Sequence, residues 1–355
     1  YDIHHQKMGS FDYYGSMVPI NGSIVYSKIS DQSTKDNLIM DYYRYIISTG
    51  QNMKLGTIKE WASQSSESVC IQDHLFLIVV TGDWIDEERR VVKLLDVDLA
   101  KNTFREVFAE KGAFPYYTMV GVEDQLWIAR SVSNGNCVDA YNLKTKKFKT
   151  IARFQYDNPT NTGEMIRQIS ADDQTVSLMM LVKESSDSVR LRIDVYDHQM
   201  NYLRSVDATD ISSEPNERAQ GIVNFQFSNN LLFYRNFSVT CVLGEAQNGR
   251  ISTSIVDNNG TFCMAYENEN SMKKVLYRLL SENNEIYLWN MQNGVLLQGA
   301  FFADDPRYRI DGVYQTGNGE CYISMNMIPS RGGERTWDSR LYCVNLADLK
   351  FEQAA

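Results

Sequence analysis

The sequence is poor in the residues and patterns that define several large classes of protein. Only 6 of its 355 residues are proline and 6 are cysteine, and the cysteines include no C-x-x-C pair. That scatter excludes a zinc ribbon and a disulfide-dense scaffold. The apolar runs, such as residues 75–80, have the length of a strand and fall far short of the roughly 20 residues that a membrane-spanning helix needs. We therefore expect no direct membrane insertion of this segment.

Motifs that carry common enzyme chemistries are also missing. The four histidines form no H-E-x-x-H pair, and the sequence has no G-x-S-x-G nucleophile elbow. Neither the G-x-x-x-x-G-K-[ST] nor the G-x-G-x-x-G phosphate loop is present, and no acidic loop has the regular oxygen ligands of a calcium site. The sequence therefore predicts no metal and no cofactor.

The sequence also has fewer basic than acidic residues, 35 Lys and Arg against 45 Asp and Glu. The formal net charge is −10 and the sequence pI is about 5.0. Proteins that bind nucleic acid neutralise phosphates with clustered lysine and arginine, and here the overall field has the opposite sign. We expect no nucleic-acid partner.

What the chain does contain is strand-forming residues arranged in a repeat. Aromatic residues make up 12%, with 21 Tyr and 15 Phe, and these favour pleated, half-buried surfaces. An apolar residue, then Asp or Asn, a short polar turn and an aromatic residue recur as a hairpin pattern. The four copies are Val97-Asp98-Leu99 to Phe104, Tyr141-Asn142-Leu143 to Phe148, Tyr196-Asp197-His198 to Tyr202, and Val344-Asn345-Leu346 to Phe351.

The spacing of these hairpins predicts the fold class. Leu99 and Leu143 are 44 positions apart, Leu143 and His198 are 55 apart, and His198 and Leu346 are 148 apart, close to three further steps. Units of roughly 50 residues fit the four-stranded blades of a propeller. We predict an all-β chain that forms a β-propeller of seven four-stranded blades, with six or eight blades as the alternatives. With no helical pattern and no linker, residues 1–355 are predicted to be one domain and a monomer.

One resemblance follows from the same hairpins. The segment Tyr141-Asn142-Leu143-Lys144-Thr145-Lys146-Lys147-Phe148 resembles hairpins of secreted bacterial β-propeller proteins in general. The Trp-Asp signature, the kelch glycines and the quinone-propeller repeat are missing, so no functional residue carries over. The composition and a first residue, Tyr1, that is not methionine lead us to expect an extracellular or periplasmic protein. A segment before Tyr1 would then anchor it to the cell surface.

The candidate binding residues are expected on the loops that a propeller brings to one face. Trp, Tyr and Arg are the residues that dominate binding hot spots. The alternative is that the Trp rings cover their own blades and the Arg side chains neutralise carboxylates of the channel. The candidates are Trp84, Tyr116, Tyr117, Arg167, Arg218, Arg307, Arg309 and Trp337.

Three functions remain open on the sequence alone. The first is a non-catalytic binding or protein-interaction module of the cell envelope or surface, with a carbohydrate or protein ligand. The second is a carbohydrate-active enzyme, a glycoside hydrolase or lyase, with a carboxylate pair at the channel mouth. The third is a sensor or scaffold domain of a larger envelope protein.

Two cysteines of the last repeat give a test of strand register. Cys321 and Cys343 lie almost symmetrically about Gly332 and Gly333, which would place them opposite each other in an antiparallel pair. A cross-strand disulfide and two buried free thiols are the alternatives, and the free thiols are favoured because such bridges are strained.

Overall fold

The computed structural model of the chain shows strands, turns and a single short 3₁₀ segment among the residues it describes. The structure describes residues 6–7, 17–20, 22–34, 39–59, 62–82, 89–111, 117–132, 135–157, 162–183, 189–208, 222–236, 241–257, 262–264, 273–278, 284–290, 295–302, 305–315, 320–327, 339–345, 348–350 and 352–353. The chain divides into two compact units, Asp12–Thr209, and Tyr1–Phe11 with Asp210–Ala355. We call them the early unit and the late unit. The prediction of one domain over residues 1–355 stays a prediction.

The early unit contains four consecutive groups of four antiparallel strands, which we call ladders one to four. Ladder one is formed by β2 (Met17–Ile20), β3 (Ser23–Ile29), β4 (Met40–Ile46) and β5 (Gln51–Ile58). Ladder two is formed by β6 (Ala62–Ile71), β7 (His74–Thr81), β8 (Val91–Asp98) and β9 (Thr103–Lys111). Ladder three is formed by β10 (Tyr117–Val122), β11 (Gln125–Val132), β12 (Gly135–Asn142) and β13 (Lys147–Asp157). Ladder four is formed by β14 (Thr162–Ala171), β15 (Thr175–Lys183), β16 (Val189–Asp197) and β17 (Tyr202–Asp207).

The late unit contains three further ladders. Ladder five is formed by β18 (Ile222–Ser228), β19 (Leu231–Asn236), β20 (Cys241–Gln247) and β21 (Arg250–Asp257). Ladder six is formed by β22 (Phe262–Met264), β23 (Lys273–Arg278), β24 (Glu285–Asn290) and β25 (Leu296–Ala300), and β29 (Glu352–Gln353) adds a fifth strand. Ladder seven is formed by β26 (Tyr308–Gln315), β27 (Glu320–Met327), β28 (Ser339–Asn345) and β1 (Gln6–Lys7). The number of blades in a closed propeller stays a prediction.

The second strands show why the sequence forms ladders that are covered on both faces. In β7 every residue from Leu75 to Thr81 is buried, and in β15 every residue from Val176 to Val182 is buried. An antiparallel strand with one wet face would alternate apolar and polar residues, so these continuous apolar runs require packing on both sides. Apolar clusters around Leu77 and Ile78 cover the two faces of β7, and a third cluster, around Leu178, covers one face of β15.

The repeated hairpin pattern is confirmed in ladders two, three and four. The Asp or Asn that ends each third strand accepts hydrogen bonds from the turn. Asp98 accepts from the Lys101 amide (2.9 Å), Asn142 from the Thr145 amide (2.8 Å), and Asp197 from the Asn201 amide (2.8 Å). A short acceptor that mimics the backbone is what makes Asp and Asn favoured in turns.

The aromatic residue of the pattern links neighbouring ladders. Phe104 at the start of β9 lies 5.6 Å from the ring of Tyr42 in ladder one, and Phe148 at the start of β13 lies 5.7 Å from Phe108 in ladder two. Tyr202 in ladder four instead stacks edge-on against Tyr196 of its own ladder and is 58% exposed. The motif therefore encodes a turn and, twice, a contact with the preceding ladder.

The fourth copy of the pattern behaves differently. The pattern Val344-Asn345-Leu346 to Phe351 predicts that the chain returns after this turn as the fourth strand of the last repeat, and that prediction is wrong. In ladder seven the fourth strand is β1, in which Gln6 pairs with Cys343 and Lys7 with Tyr342. The last described residues continue to ladder six, where Gln298 pairs with Glu352. The outer edge of β28 is therefore occupied by a segment that no local pattern could predict.

The register of ladder seven settles the cysteine question. Cys321 pairs with Val344 and Tyr322 pairs with Cys343, so the two cysteines are offset by one residue and their side chains project to opposite faces of the sheet. Neither cysteine forms a disulfide bond. The favoured prediction of two thiols without a bridge is confirmed, but only Cys321 is buried, and the directly opposed register is wrong.

Candidate functional site

The structure describes four of the eight candidate binding residues. Tyr117 and Arg167 lie in the early unit, and Arg307 and Arg309 lie in the late unit. Their role in ligand binding stays a prediction. The four candidates that lie outside the described residues are Trp84, Tyr116, Arg218 and Trp337.

Tyr117 is a strand residue and not a loop residue. It begins β10, only 6% of it is exposed, and its ring lies 6.0 Å from that of Phe108. Its hydroxyl donates a hydrogen bond of 2.9 Å to Oε2 of Glu110 in ladder two. Burial, followed by the neighbouring carboxylate, raises the pKa of Tyr117 well above its usual value. The side chain thus joins two ladders.

Arg167 lies in a β-bulge. Ile166 pairs with Met180 and Gln168 with Met179, so Arg167 is the extra residue of β14. Gln168, next to it, is buried and accepts a 2.5 Å hydrogen bond from the Thr118 hydroxyl of ladder three. Bulges redirect side chains near sheet edges and sites, so Arg167 has an orientation that regular alternation would not give it.

Arg307 and Arg309 lie where the chain enters β26. Asp305 accepts hydrogen bonds from Nε (3.0 Å) and Nη2 (2.7 Å) of Arg307. Arg309 donates to the carbonyl oxygens of Pro306 and Tyr308. A third guanidinium, that of Arg340 at the start of β28, lies over the Tyr308 ring at 3.9 Å from its centroid. No local pattern marks Arg340, because its position in the late unit depends on strand pairing.

The early unit contains a repeated feature that the sequence analysis missed. Each of its third strands carries a buried aspartate that is bonded within its ladder. These residues are Asp41 (4% exposed), Asp96 (1%), Asp139 (6%) and Asp194 (2%). A local signal existed, because Asp139 and Asp194 each come three positions before the turn residue, Asn142 and Asp197. Asp96 comes two positions before Asp98.

Ladder two builds its network around Asp96. His74 Nδ1 lies 2.6 Å from Oδ1, and Arg105 donates to Oδ2 through Nη2 at 2.9 Å. Arg105 Nη2 also donates to the Tyr141 hydroxyl of ladder three. A buried carboxylate is tolerated when its oxygens are paired in this way, and removing one partner would leave an uncompensated charge. Asp96 therefore contributes to the junction between ladders two and three.

Ladder three builds a second network at the other end of the same junction. Arg130 donates to Asp139 through Nε at 2.7 Å and lies 3.2 Å from Glu110 of ladder two, while Thr150 donates to Asp139 at 2.5 Å. Burial alone would raise the pKa of Asp139, but the bonds from Thr150 and Arg130 and the charge of Arg130 together lower it. Asp139 is thus an ionised acceptor and not a proton donor.

Ladder four repeats the arrangement with Arg192. This residue donates to both oxygens of Asp194 at 2.7 Å and to Glu164 at 2.9 Å. Burial opposes the charged form, yet the two carboxylates raise the pKa of Arg192 above its already high value. As in ladder three, one guanidinium joins a buried aspartate to a glutamate that is about 40% exposed. In both ladders the ion pairs hold the arginine and glutamate side chains in place near the ends of their strands.

The described residues contain no cluster of side chains that could bind a metal ion. Among the residues that the structure describes, no group of three His, Cys, Asp or Glu side chains converges. Nor does any helix in those ranges combine the length and apolar character needed to cross a membrane.

Comparison with known proteins gives structural relatives only. The sequence matches no protein-family model and no curated protein. A prolyl endopeptidase structure is 10% identical, covers 97% of this chain and 49% of its own, and has a TM-score of 0.56. Acylaminoacyl peptidase of Pyrococcus horikoshii is 11% identical, covers 83% and 46%, and has a TM-score of 0.51. The β-propeller domain of the trilobed protease of Pyrococcus furiosus is 10% identical, covers 82% and 95%, and scores 0.42.

These likenesses correct the functional prediction. Its three versions were an envelope binding module, a carbohydrate-active enzyme and an envelope sensor or scaffold. The prediction is wrong, because the structures matched with TM-scores of 0.56 and 0.51 are peptidases. The chain spans about half the length of the two peptidases that it matches. At 10–11% identity the likeness shows the fold alone, and it confirms the predicted class: the chain is all-β and adopts a β-propeller fold.

Proposed function

We propose that this chain is the propeller of a peptidase, working with a hydrolytic domain or partner on peptide substrates. The observation that carries the proposal is the match to prolyl endopeptidase, which extends over nearly all of this chain and about half of that enzyme. A fold alone does not determine function. A role in peptide cleavage also requires side chains on this chain that can form hydrogen bonds with a peptide.

The arginine and glutamate side chains of the networks in ladders three and four provide such groups. Peptides offer carbonyl oxygens, a terminal carboxylate and a terminal amine. Arg130 and Arg192 are about one-quarter exposed, and Glu110 and Glu164 are about 40% exposed. Guanidinium N–H groups donate to carbonyls and carboxylates, and carboxylates accept from amines. Buried aspartates hold both arginines in place, which lowers the entropy cost of binding.

The first experiment measures peptide hydrolysis by the complete natural gene product that contains this sequence. Suitable substrates are succinyl-Gly-Pro-7-amido-4-methylcoumarin and acetyl-Ala-4-nitroanilide, with a nitrophenyl glycoside as the control. We expect release of fluorophore or nitroaniline and no cleavage of the glycoside.

The second measurement uses residues 1–355 directly. A dansylated tetrapeptide is titrated by fluorescence, with maltoheptaose as a competitor that should have no effect. The Arg192→Gln variant should bind the peptide more weakly than Arg250→Gln, which changes an exposed hairpin arginine. If the gene product cleaves no peptide and this chain binds none, the proposal is rejected.

A further inference from the structure

We propose that β13, the outer strand of ladder three, is a docking edge for an extended acidic segment of a partner protein. The segment adds to the sheet as a further strand and places its carboxylates against Lys147 and Lys149. We call residues 147–155 of β13 the lysine edge. This inference does not depend on the proposed peptidase function, because neither lysine belongs to the networks of ladders three and four.

The first supporting feature is the charge of this strand and of the turn before it. Residues 144–155 contain four lysines, one arginine and no aspartate or glutamate, although the whole chain has a formal net charge of −10. Lys147 and Lys149 are exposed, and within the described ranges neither side chain forms an ion pair or a hydrogen bond. A local excess of positive charge on an acidic protein attracts a negatively charged partner.

The corresponding strands of the other ladders in the early unit have a different composition. Lys54 is the only charged residue of β5, and it lies 2.8 Å from Asp41. Both signs of charge occur in β17, which carries Arg204 and Asp207. Both signs also occur in β9, which carries Arg105, Glu106, Glu110 and Lys111. Of these four outer strands, only β13 has several cations and no carboxylate over a stretch as long as residues 147–155.

The second supporting feature is the open edge of the strand. One edge of β13 pairs with β12 from Lys147 to Gln155, whereas its pairing with β14 is limited to Tyr156 and Asp157. Among the described strands, no other one pairs with the lysine edge. Hydrogen-bonded and non-hydrogen-bonded positions alternate along an antiparallel pair, so about half of the amide and carbonyl groups face outward. Such a row of groups is the template to which an extended peptide adds a strand.

The third supporting feature is the alternation of side chains along this edge. Lys147 pairs with Asn142 and Lys149 with Ala140, with no bulge between the two pairs. Both lysines therefore lie on one face of ladder three. Phe148 lies on the opposite face and is 41% exposed. Carboxylates at alternate positions of an added strand would meet the two lysines, and an apolar residue between them would meet the Phe148 ring.

This arrangement favours a peptide over other polyanions. A nucleic acid or an anionic lipid surface would neutralise the lysines, but it has no backbone amide and carbonyl groups to pair with a strand. An extended peptide satisfies both the charges and the outward-facing backbone groups. The partner segment is therefore expected to alternate acidic and apolar residues.

Lysines on an edge strand also have a protective role in many proteins. They prevent two copies of a sheet from pairing edge to edge, because the charges repel each other. If protection were their function here, no acidic peptide would bind, and a variant without the lysines would self-associate. The two roles therefore predict opposite results with an acidic peptide.

The test is a fluorescence-anisotropy titration of residues 1–355 with fluorescein-Gly-Asp-Val-Asp-Val-Asp-Val-amide. One control peptide has Asn in place of each Asp. A second has Pro in place of each Val, which keeps the carboxylates but cannot join a strand ladder. We expect the acidic peptide to bind at least about tenfold more tightly than either control. Hydrogen exchange of residues 147–155 should slow in its presence, because the outward-facing amides become bonded.

Two double variants separate the lysine edge from overall charge. Lys147→Gln with Lys149→Gln should weaken binding of the acidic peptide about tenfold. The matched control is Lys101→Gln with Lys111→Gln, which removes two charges from exposed positions of ladder two. This control should weaken binding less than about twofold, because charges away from the bound peptide are screened.

Each contrary outcome overturns the inference for a different reason. Equal binding of the acidic and the Asn peptides would reject recognition of charge, and equal binding of the proline peptide would reject strand addition. Displacement of the peptide by a lower concentration of oligothymidylate than of unlabelled peptide would indicate a phosphate-binding patch instead. No binding, together with self-association of the Lys147 and Lys149 double variant in sedimentation, would show the protective role. Peptide hydrolysis by the complete gene product tests the proposed function separately.

Discussion

The early and late units stabilise the third strands of their ladders in different ways. In the early unit each third strand buries an aspartate inside a network of donors. In ladders six and seven the third strands contain no aspartate, and their described residues bury Tyr287 and Tyr342. Tyr342 packs edge-on against Phe301 with ring centroids 5.3 Å apart. The third strands of the early unit also bury tyrosines, Tyr42 and Tyr141, so what distinguishes that unit is the added buried charge.

The two units share a different device, an asparagine that bridges consecutive ladders. In the early unit Asn136 Oδ1 accepts a 3.0 Å hydrogen bond from the Ile166 amide. In the late unit Asn284 Oδ1 accepts from the Ile310 amide at 3.1 Å, and its Nδ2 donates to the Tyr308 carbonyl at 3.3 Å. Each asparagine satisfies the backbone of the next first strand, where a buried unpaired amide would be costly. Both units therefore use buried polar side chains between ladders, and they differ in the buried charged aspartates of the early unit.

The largest expected effect comes from breaking one buried network. Asp139→Ala leaves Arg130 without its closest partner and should lower the free energy of unfolding by about 3 kcal/mol. Urea unfolding followed by intrinsic fluorescence measures the change. The matched control is Asp124→Ala, which removes an ion pair with Lys144, itself 79% exposed, and should cost less than about 1 kcal/mol. Equal effects of the two variants would show that the buried charges do not distinguish the early unit.

A smaller effect is expected from the packing between ladders one and two. A Cβ atom on Gly56 would lie 2.0 Å from the Phe104 ring, so Gly56→Ala must displace that ring. Overpacking of this kind costs about 1–3 kcal/mol. Phe104→Leu should relieve the clash, so that the double variant is more stable than the sum of the two single changes predicts. Additive effects in the double-mutant cycle would contradict this contact.

The smallest effect is a difference in acid sensitivity. Burial opposes ionisation of Asp41 and Asp139, but their hydrogen bonds and paired cations lower both pKa values below the ordinary value. Such a carboxylate contributes stability above its unfolded pKa of about 4, and that contribution is lost as the pH falls through the lowered folded value. Pulse-labelling by hydrogen exchange after incubation between pH 5 and 2 should show residues 135–157 losing protection before residues 320–327 and 339–345. The Asp139→Asn variant should remove this dependence in ladder three; simultaneous loss in both units would contradict it.

Local patterns predicted the ladders where contacts are local. Asp98, Asn142 and Asp197 revealed their turns because an Asx side chain satisfies the turn that follows it within a few residues. The aromatic residues after these turns marked the return strands. The same reasoning failed at Asn345, since the strand that pairs with β28 comes from residues 6–7 and not from the sequence that follows.

The candidate site was less accessible to sequence reasoning for a physical reason. Tyr117 was assigned to a loop, but its hydroxyl is satisfied by Glu110 across a ladder junction. Arg340 was overlooked because its place over the Tyr308 ring depends on the pairing of β26, β27 and β28. Strand alternation places a residue on a face of its own ladder, but which neighbouring ladder meets that face depends on packing between distant segments. Asp96 lies two positions before its turn residue and Asp139 lies three before its own. Asp96 is on the face of ladder two that meets ladder three, and Asp139 is on the face of ladder three that meets ladder two.

The pairing of residues 6–7 with β28 has a consequence for how the chain is made. The four ladders of the early unit use segments close together in sequence, so each can form soon after it leaves the ribosome. Ladder seven cannot be completed until residues 339–345 exist, more than 330 positions after the strand that they need. Until then residues 6–7 lack the strand with which they pair. Bringing two segments so distant in sequence together is slow, because a long loop has to close. Synthesis rate and chaperone access should thus matter most for the late unit.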